Sequence, residues 1–156
     1  MDNPEIRPAR LEDFDELLEL YHHLSSDDHA ADPEHRKCTF ERILAHPGLT
    51  ILVGVQNGKL VATLTLVVIP NLTRGCAPYS LIENVVTRTE FRGLGIGAKL
   101  IEAAQELAWQ AGCYKIMLMS GAQNAKAHAF YECAGFQRSK TGFELRRSEY
   151  PSRKPE

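Results

Sequence analysis

The chain has 156 residues, 44% of them hydrophobic and 24% charged, with a formal net charge of −2. That is the size and composition of one globular domain with its own core, and the charge balance leaves no surplus of Lys and Arg to neutralise many phosphates, which argues against nucleic acid as a partner. MDNPEIRPAR at the N-terminus is charged, and no apolar run approaches the roughly 20 residues that span a bilayer, so the expectation is a soluble, cytoplasmic protein with no membrane partner.

In chain order, Glu5 to Pro8 reads as a short extended start. The recurrence of Leu11, Phe14, Leu17, Leu18, Tyr21 and Leu24 at helical spacing predicts a helix, which SSDDHAADP breaks. Pro33 suits the first turn of a second helix, PEHRKCTFERILAH, and Pro47-Gly48 closes it. LTILVGV and KLVATLTLVVI are strands joined through Gln56-Asn57-Gly58, and Asn-Gly marks a tight hairpin. After the polar loop PNLTRGCAPYS, SLIENVVT is another strand. Next comes a glycine-rich stretch, then a helix with Leu100, Ile101, Ala104, Leu107, Ala108 and Ala111 on one side and its stop at Gly112. YKIMLMS predicts a buried strand beside a parallel neighbour, NAKAHAFYECAG a last helix ending at Gly135, and FQRSKTGFELRR one or two final strands. The order predicts one α/β domain over residues 1–150, a mixed sheet with helices on both faces, and a frayed tail at 151–156.

Cys38, Cys76, Cys113 and Cys133 stand far apart without a C-x-x-C pair, and are expected to be reduced thiols packed as small hydrophobes. His22, His23, His29 and His35 cluster in sequence. The first two point to different faces of a helix and the others fall in a polar connection, so no metal site is expected.

Three phosphate-binding patterns compete for EFRGLGIGAKL. A Walker loop fails because Lys99 is followed by Leu100. Gly93, Gly95 and Ala98 satisfy G-x-G-x-x-A of a dinucleotide fold, but TRTEFR separates them from the preceding strand, and the next strand along the chain ends at Ser120-Gly121 without an acid for a ribose. Arg92, Gly95 and Gly97 fill R-x-x-G-x-G, where glycines let consecutive amides curl around an anion at a helix start. A glycine-rich helix entry with no ligand is the remaining reading.

With these motifs the chain resembles the GNAT superfamily of acetyl-CoA-dependent N-acetyltransferases. The likeness runs from IRPARLEDFDEL through the hairpin, IENVV and FRGLGIG to NAKAHAFYECAGF, and is most specific from Ile82 to Phe136. Among family members the series is loosely similar to glucosamine-6-phosphate N-acetyltransferases, from which PNLTRGCAPYS and MSGAQNAKAHA depart. The resemblance implies a mostly antiparallel sheet of six to seven strands with about four helices, splayed at a central parallel pair. It implies that Arg92, Gly93, Leu94, Gly95, Ile96, Gly97 and Ala98 hold the CoA pyrophosphate and that the peptides of Val85, Val86 and Thr87 pair with the pantetheine arm. Asn124 matches the family's asparagine at the last helix, and Tyr131 its tyrosine beside the thiol. Acetyl-CoA is then the co-substrate, without a metal. The partners implied are a small-molecule amine and a second copy of the chain as a homodimer.

The chemistry narrows the roles. An amine with pKa about 10.4 must lose a proton before it attacks, and Glu83, a carboxylate in an apolar strand two residues before Val85 and hence expected on the same side, is the candidate base, directly or through water. A salt-bridged or edge-exposed structural Glu is the other reading. Tyr131 is the candidate acid for the departing thiolate, or else a core aromatic. A peptide N–H at Val85 or its neighbour would hold the oxyanion. Cys133 lacks a base partner in sequence, which favours direct transfer in a ternary complex over an acyl-enzyme. An acyl-CoA sensor without turnover, and an enzyme acting on a protein N-terminus or lysine, are the alternatives; the acceptor side would draw on His22 to Pro33, Leu72 to Tyr79 and the final hairpin.

Overall fold

The computed structural model describes residues 3–25 and 31–150. His29 and the tail expected to fray, residues 151–156, lie outside them. The chain divides into two compact units, Met1–Leu118 and Met119–Glu156.

The first unit holds β1 (Glu5–Pro8), α1 (Phe14–Leu24), α2 (Pro33–Ala45), β2 (Leu49–Gln56), β3 (Lys59–Ile69), β4 (Tyr79–Thr87), α3 (Ile96–Gln110) and β5 (Ile116–Leu118). The strands form one sheet in the order β1-β2-β3-β4-β5, antiparallel throughout except for the parallel β4–β5 pair. This is the mixed, mostly antiparallel sheet the sequence predicts. At the β2–β3 hairpin Asn57 and Gly58 both take positive φ, 52° and 73°, the geometry that a two-residue turn needs to match strand twist.

Strand alternation sorts the core. Ile51, Val53, Leu60 and Val86 face Leu17 and Leu20 of α1 and Phe40 of α2. On the opposite face, Gly54 leaves room for Ile96, whose side chain lies 3.2 Å from where a Cβ on Gly54 would stand. Ile96, Leu100, Ile101, Ala104 and Ala108 are the buried stripe of α3. The helix stops where the sequence predicts: Gly112 has φ 76°, and the amides of Gly112 and Cys113 return to the carbonyls of Trp109 and Ala108, each at 3.0 Å.

In the second unit, α4 (Ala125–Cys133) closes in the same way. Gly135 has φ 91°, its N–H bonds to Glu132, and that of Phe136 to Tyr131, each at 3.0 Å.

Two expectations need correction. The sheet has five strands among the described residues, because residues 136–147 form no ladder. The alternation of Phe143 and Leu145 identifies an apolar face but supplies no partner, and those side chains are 92% and 100% exposed. The run YKIMLMS yields a strand of only three half-buried residues, since parallel pairing ends at Ile82–Leu118.

The N-terminal strand is clasped to the next helix by one ion pair. Asp13, 4% exposed, accepts both terminal nitrogens of Arg7, at 2.7 and 2.8 Å, and the backbone N–H of Arg10 at 2.7 Å. The hydrogen bonds from Arg7, assisted by that amide, outweigh burial and hold the carboxyl below its usual value. Its stabilisation is therefore fully present above about pH 4, the ordinary carboxylate range, and is lost as pH falls through the lowered value. Asp13→Ala strands Arg7 and should cost about 3–5 kcal/mol in urea unfolding at pH 7. Acidification should narrow the gap between variant and wild type; a gap independent of pH would exclude the ion pair as its cause.

Candidate functional site

One edge of β4 is paired along most of its length and the other is not. Against β3 the register runs from Ile69–Tyr79 to Ala62–Thr87, whereas against β5 it covers only Ser80, Leu81 and Ile82. From Glu83 to Thr87 no strand pairs with the second edge among the described residues. A β-bulge falls in this segment. Thr65 lies opposite Glu83 and Thr63 opposite Val86, so Asn84 and Val85 together oppose Leu64, and Asn84 takes φ 53°. Asn is among the residues that tolerate this left-handed conformation.

The bulge corrects the expected side of Glu83. Simple alternation puts Glu83 with Val85; the extra residue instead puts it on the face of Val86, the face that α1 covers. Glu83 is exposed, and its carboxylate makes no hydrogen bond or ion pair among the described residues, so the salt-bridged reading has no partner here. Val86, 5% exposed, commits its side chain to the core, which leaves its peptide as what it can offer a ligand.

Beyond Thr87 the chain makes a short 3-10 turn, Thr89–Phe91, and enters the glycine stretch. Gly93 and Gly95 have φ 76° and 79°, and nothing lies within 4 Å of where a Cβ would project from either. Gly95 caps α3 without a side-chain hydrogen bond, and no acidic residue occupies the first turn. The first helical amide to find an acceptor in this turn is that of Lys99, bonded to Gly95 O at 3.2 Å. The amides of Ile96, Gly97 and Ala98 therefore present the positive end of the helix dipole. Arg92 folds back, its Nε donating to Thr87 O at 3.1 Å. Leu94 is 47% exposed at the tip.

Two groups here give no signal in the sequence. Arg88, 5% exposed, donates through Nε to Leu60 O at 2.8 Å and pairs with Glu19 of α1 at 2.9 Å, pinning the end of β4 to the neighbouring strand and helix. With Leu18, Glu19, His22 and His23 it lines a cleft at the C-terminal end of α1. On the same helix, burial pushes the phenol of Tyr21 above its usual value, offset in part by the hydroxyls of Thr65 and Thr63. A single Arg at a strand end, or a Tyr at a helical core position, looks in sequence like any other.

Asn124 and Tyr131 belong to the second unit. Asn124 is the N-cap of α4, its Oδ1 accepting the N–H of Ala127 at 3.0 Å. The Tyr131 ring meets Phe130 and Phe136 edge-on, with centroids 5.1 and 6.0 Å apart. The contact with Phe136 is the apolar pair that accompanies this type of helix stop. All four cysteines are free, but Cys113 is the buried one; Cys38, Cys76 and Cys133 are exposed, contrary to the packing expected of them. Among the described residues no three His, Cys, Asp or Glu side chains converge as metal ligands.

Residues 12–136 match the model of the Acetyltransferase (GNAT) family. The glucosamine 6-phosphate N-acetyltransferase of Trypanosoma brucei brucei is 31% identical over 133 residues, which is 85% of this chain and 88% of that protein. Glucosamine 6-phosphate N-acetyltransferase 1 of Dictyostelium discoideum is 36% identical over 90 residues, 58% of this chain, and the match spans only 55% of that relative's length. A solved Agrobacterium tumefaciens protein, described provisionally as an acetyltransferase, superposes with TM-score 0.88 at 46% identity, covering 92% of this chain and 99% of its own.

Because the space around Gly95 is open, a side chain there meets backbone strain and no steric clash. Gly95→Ala should lower stability by about 1–2 kcal/mol in denaturant unfolding, with Gly95→Asn losing less because Asn enters the left-handed region more readily. Equal losses for the two variants would show that the backbone angle is not what the glycine supplies.

Proposed function

Since the chain belongs to the acetyltransferase (GNAT) family and is an acyltransferase, we propose that it moves the acetyl group of acetyl-CoA to the primary amine of a small molecule by direct attack in a ternary complex. The observation that carries this reading is the half-paired strand: the unpaired edge of β4 leads directly into the glycine turn at the start of α3. A ligand with both peptide-like amides and a pyrophosphate matches that sequence of unpaired peptides followed by unpaired helix amides. We assign the pyrophosphate to the amides of residues 92–98 and the amide-bearing arm to the peptides of Val85, Val86 and Thr87. The carbonyl of Thr87 is already engaged by Arg92. The positive φ of Gly93 and Gly95, with open space where a Cβ would stand, supports close approach of a ligand to the backbone.

The thioester supplies an electrophilic carbonyl and a thiol leaving group. Glu83 takes the proton of the amine, directly or through one water, its exposure leaving the carboxylate accessible. A peptide N–H at Val85 or its neighbour stabilises the charge that develops on the carbonyl oxygen. We assign to Tyr131 the protonation of the departing thiolate, on its match to the family pattern, and to Asn124 a place in cofactor binding on the same ground. Residues 1–150 act as one catalytic domain, in the cytoplasm, as a homodimer. The names of the relatives make amino sugars the first acceptors to try.

Acetyl-CoA at about a hundred times its dissociation constant should stabilise the protein by ~2.7 kcal/mol in a thermal titration, and free thiol should then appear with glucosamine 6-phosphate or another primary amine. Stabilisation by NAD with none by CoA would overturn the reading. At the reacting centre, Glu83→Gln and Tyr131→Phe should each retain CoA binding and lose turnover by about 100-fold or more, the first with an altered low-pH limb. Wild-type single-turnover rates in either variant would remove that residue from its role.

A further inference from the structure

Positive charge gathers at the end of β4 remote from the glycine turn. Lys115 stands beside Tyr79, because the next residue, Ile116, pairs with Ser80. Its Nζ lies 5.4 Å from the ring centres of both Tyr79 and Tyr114, and the Arg74 guanidinium lies 5.9 Å from that of Tyr114. At these distances the rings hold the cations in place, but a ring quadrupole cancels no charge. Neither cation forms an ion pair among the described residues. No Asp or Glu occurs from Pro70 to Ile82 or from Trp109 to Ser120. Two like charges beside one ring repel each other unless an anion joins them.

The backbone fixes this arrangement. The amides of Tyr114 and Ser80 bond to the carbonyls of Pro78 and Lys115, at 2.9 and 3.0 Å, which ties the loop before β4 to the segment before β5. Within that loop Asn71 Nδ2 donates to Thr73 O and Ala77 O, at 2.9 and 3.1 Å. Arg74, Gly75 and Cys76 follow one another in the left-handed region, with φ 58°, 67° and 64°. Only glycine enters that region freely, so Arg74 is held under strain where it meets the Tyr114 ring.

The cluster opens onto the strip that leads to Glu83. Ser80 and Ile82, 0% and 2% exposed, turn one way into the core. Tyr79, Leu81 and Glu83, opposite Ile69, Val67 and Thr65, turn the other way and stay half-buried or exposed. At about 3.3 Å per residue, Tyr79 and Glu83 are roughly 13 Å apart on one face. The proposed base stands at one end of the strip and the two cations at the other.

We propose that this end of the strip is an anion subsite for the acceptor, where Lys115 and Arg74 receive a phosphate or carboxylate carried by the same molecule as the reacting amine. This rests on the amine-acetyltransferase reading above and adds the substrate class, an anion-bearing primary amine. Arg supplies a planar fork of donors and Lys a compact charge, and both suit oxyanions. A polycationic amine meets like charge at the same place.

The test measures thiol release from acetyl-CoA with glucosamine 6-phosphate, muramic acid, glucosamine and sisomicin. The first two add a phosphate or a carboxylate to the third. Wild type should prefer one of them to glucosamine by about 100-fold in kcat/KM, as two charged contacts of about tenfold each would give, and the winner names the anion. Lys115→Met and Arg74→Met keep an apolar stem against the rings. Each should cut that preference about tenfold through the KM of the anionic sugar, while Lys115→Arg retains it and the dissociation constant for CoA holds. Added salt should shrink the preference of wild type more than that of Lys115→Met. A wild type that uses glucosamine or sisomicin as well as either anionic sugar overturns this inference, as does a preference that both methionine variants keep; acetyl transfer then stands. Absence of thiol release with all four overturns both.

Discussion

A β-strand must satisfy its backbone on two edges, and β4 does so over its full length on only one. Its ladder with β3 continues from Tyr79 to Thr87, while its parallel ladder with β5 stops at Ile82. Unpaired peptide groups are costly where water is excluded, which makes such an edge a natural place for a ligand to supply the missing strand. The bulge at Asn84 occurs in the same five residues. It increases local twist and reverses the inside-outside order of the rest of the strand, so that Val86 enters the core on the same face as Glu83, which stands across from Thr65.

The segment between β4 and α3 is positioned by packing remote from the glycine turn itself. Ile96 is seated against Gly54 in the middle of β2, where any larger residue would press on it. Arg88 pins the end of β4 to Leu60 and to Glu19 on α1. Between these two fixed points the chain has only a few residues in which to turn, and Gly93 and Gly95 take the left-handed angles that the reversal requires. The glycines thus serve the backbone path first. The bare helix terminus that results, with neither cap nor carboxylate, is a property of the same geometry.

The polar groups on the face covered by α1 obey a similar constraint. A hydroxyl buried beneath a helix must bond or destabilise the fold, and Thr63 meets that demand at Leu52 O.

Most of the fold is determined by the sequence alone, because its signals are local. Helical periodicity in α1 and α3, Asn57-Gly58 at the hairpin, and glycines at 112 and 135 act through the conformations of a few adjacent residues, and the elements form where those residues require. The glycine turn at the start of α3 is legible for the same reason. Pairing is not local. FQRSKTGFELRR alternates as a strand should, yet forms no ladder, and YKIMLMS pairs over three residues only, because a strand exists by virtue of a neighbour that its own sequence does not contain. The side of Glu83 was decided by a bulge that depends on how β4 registers against β3, and the burial of Val86 by the docking of α1 on that face. Local conformation belongs to the residues in order; facing and register belong to the surfaces they are folded against.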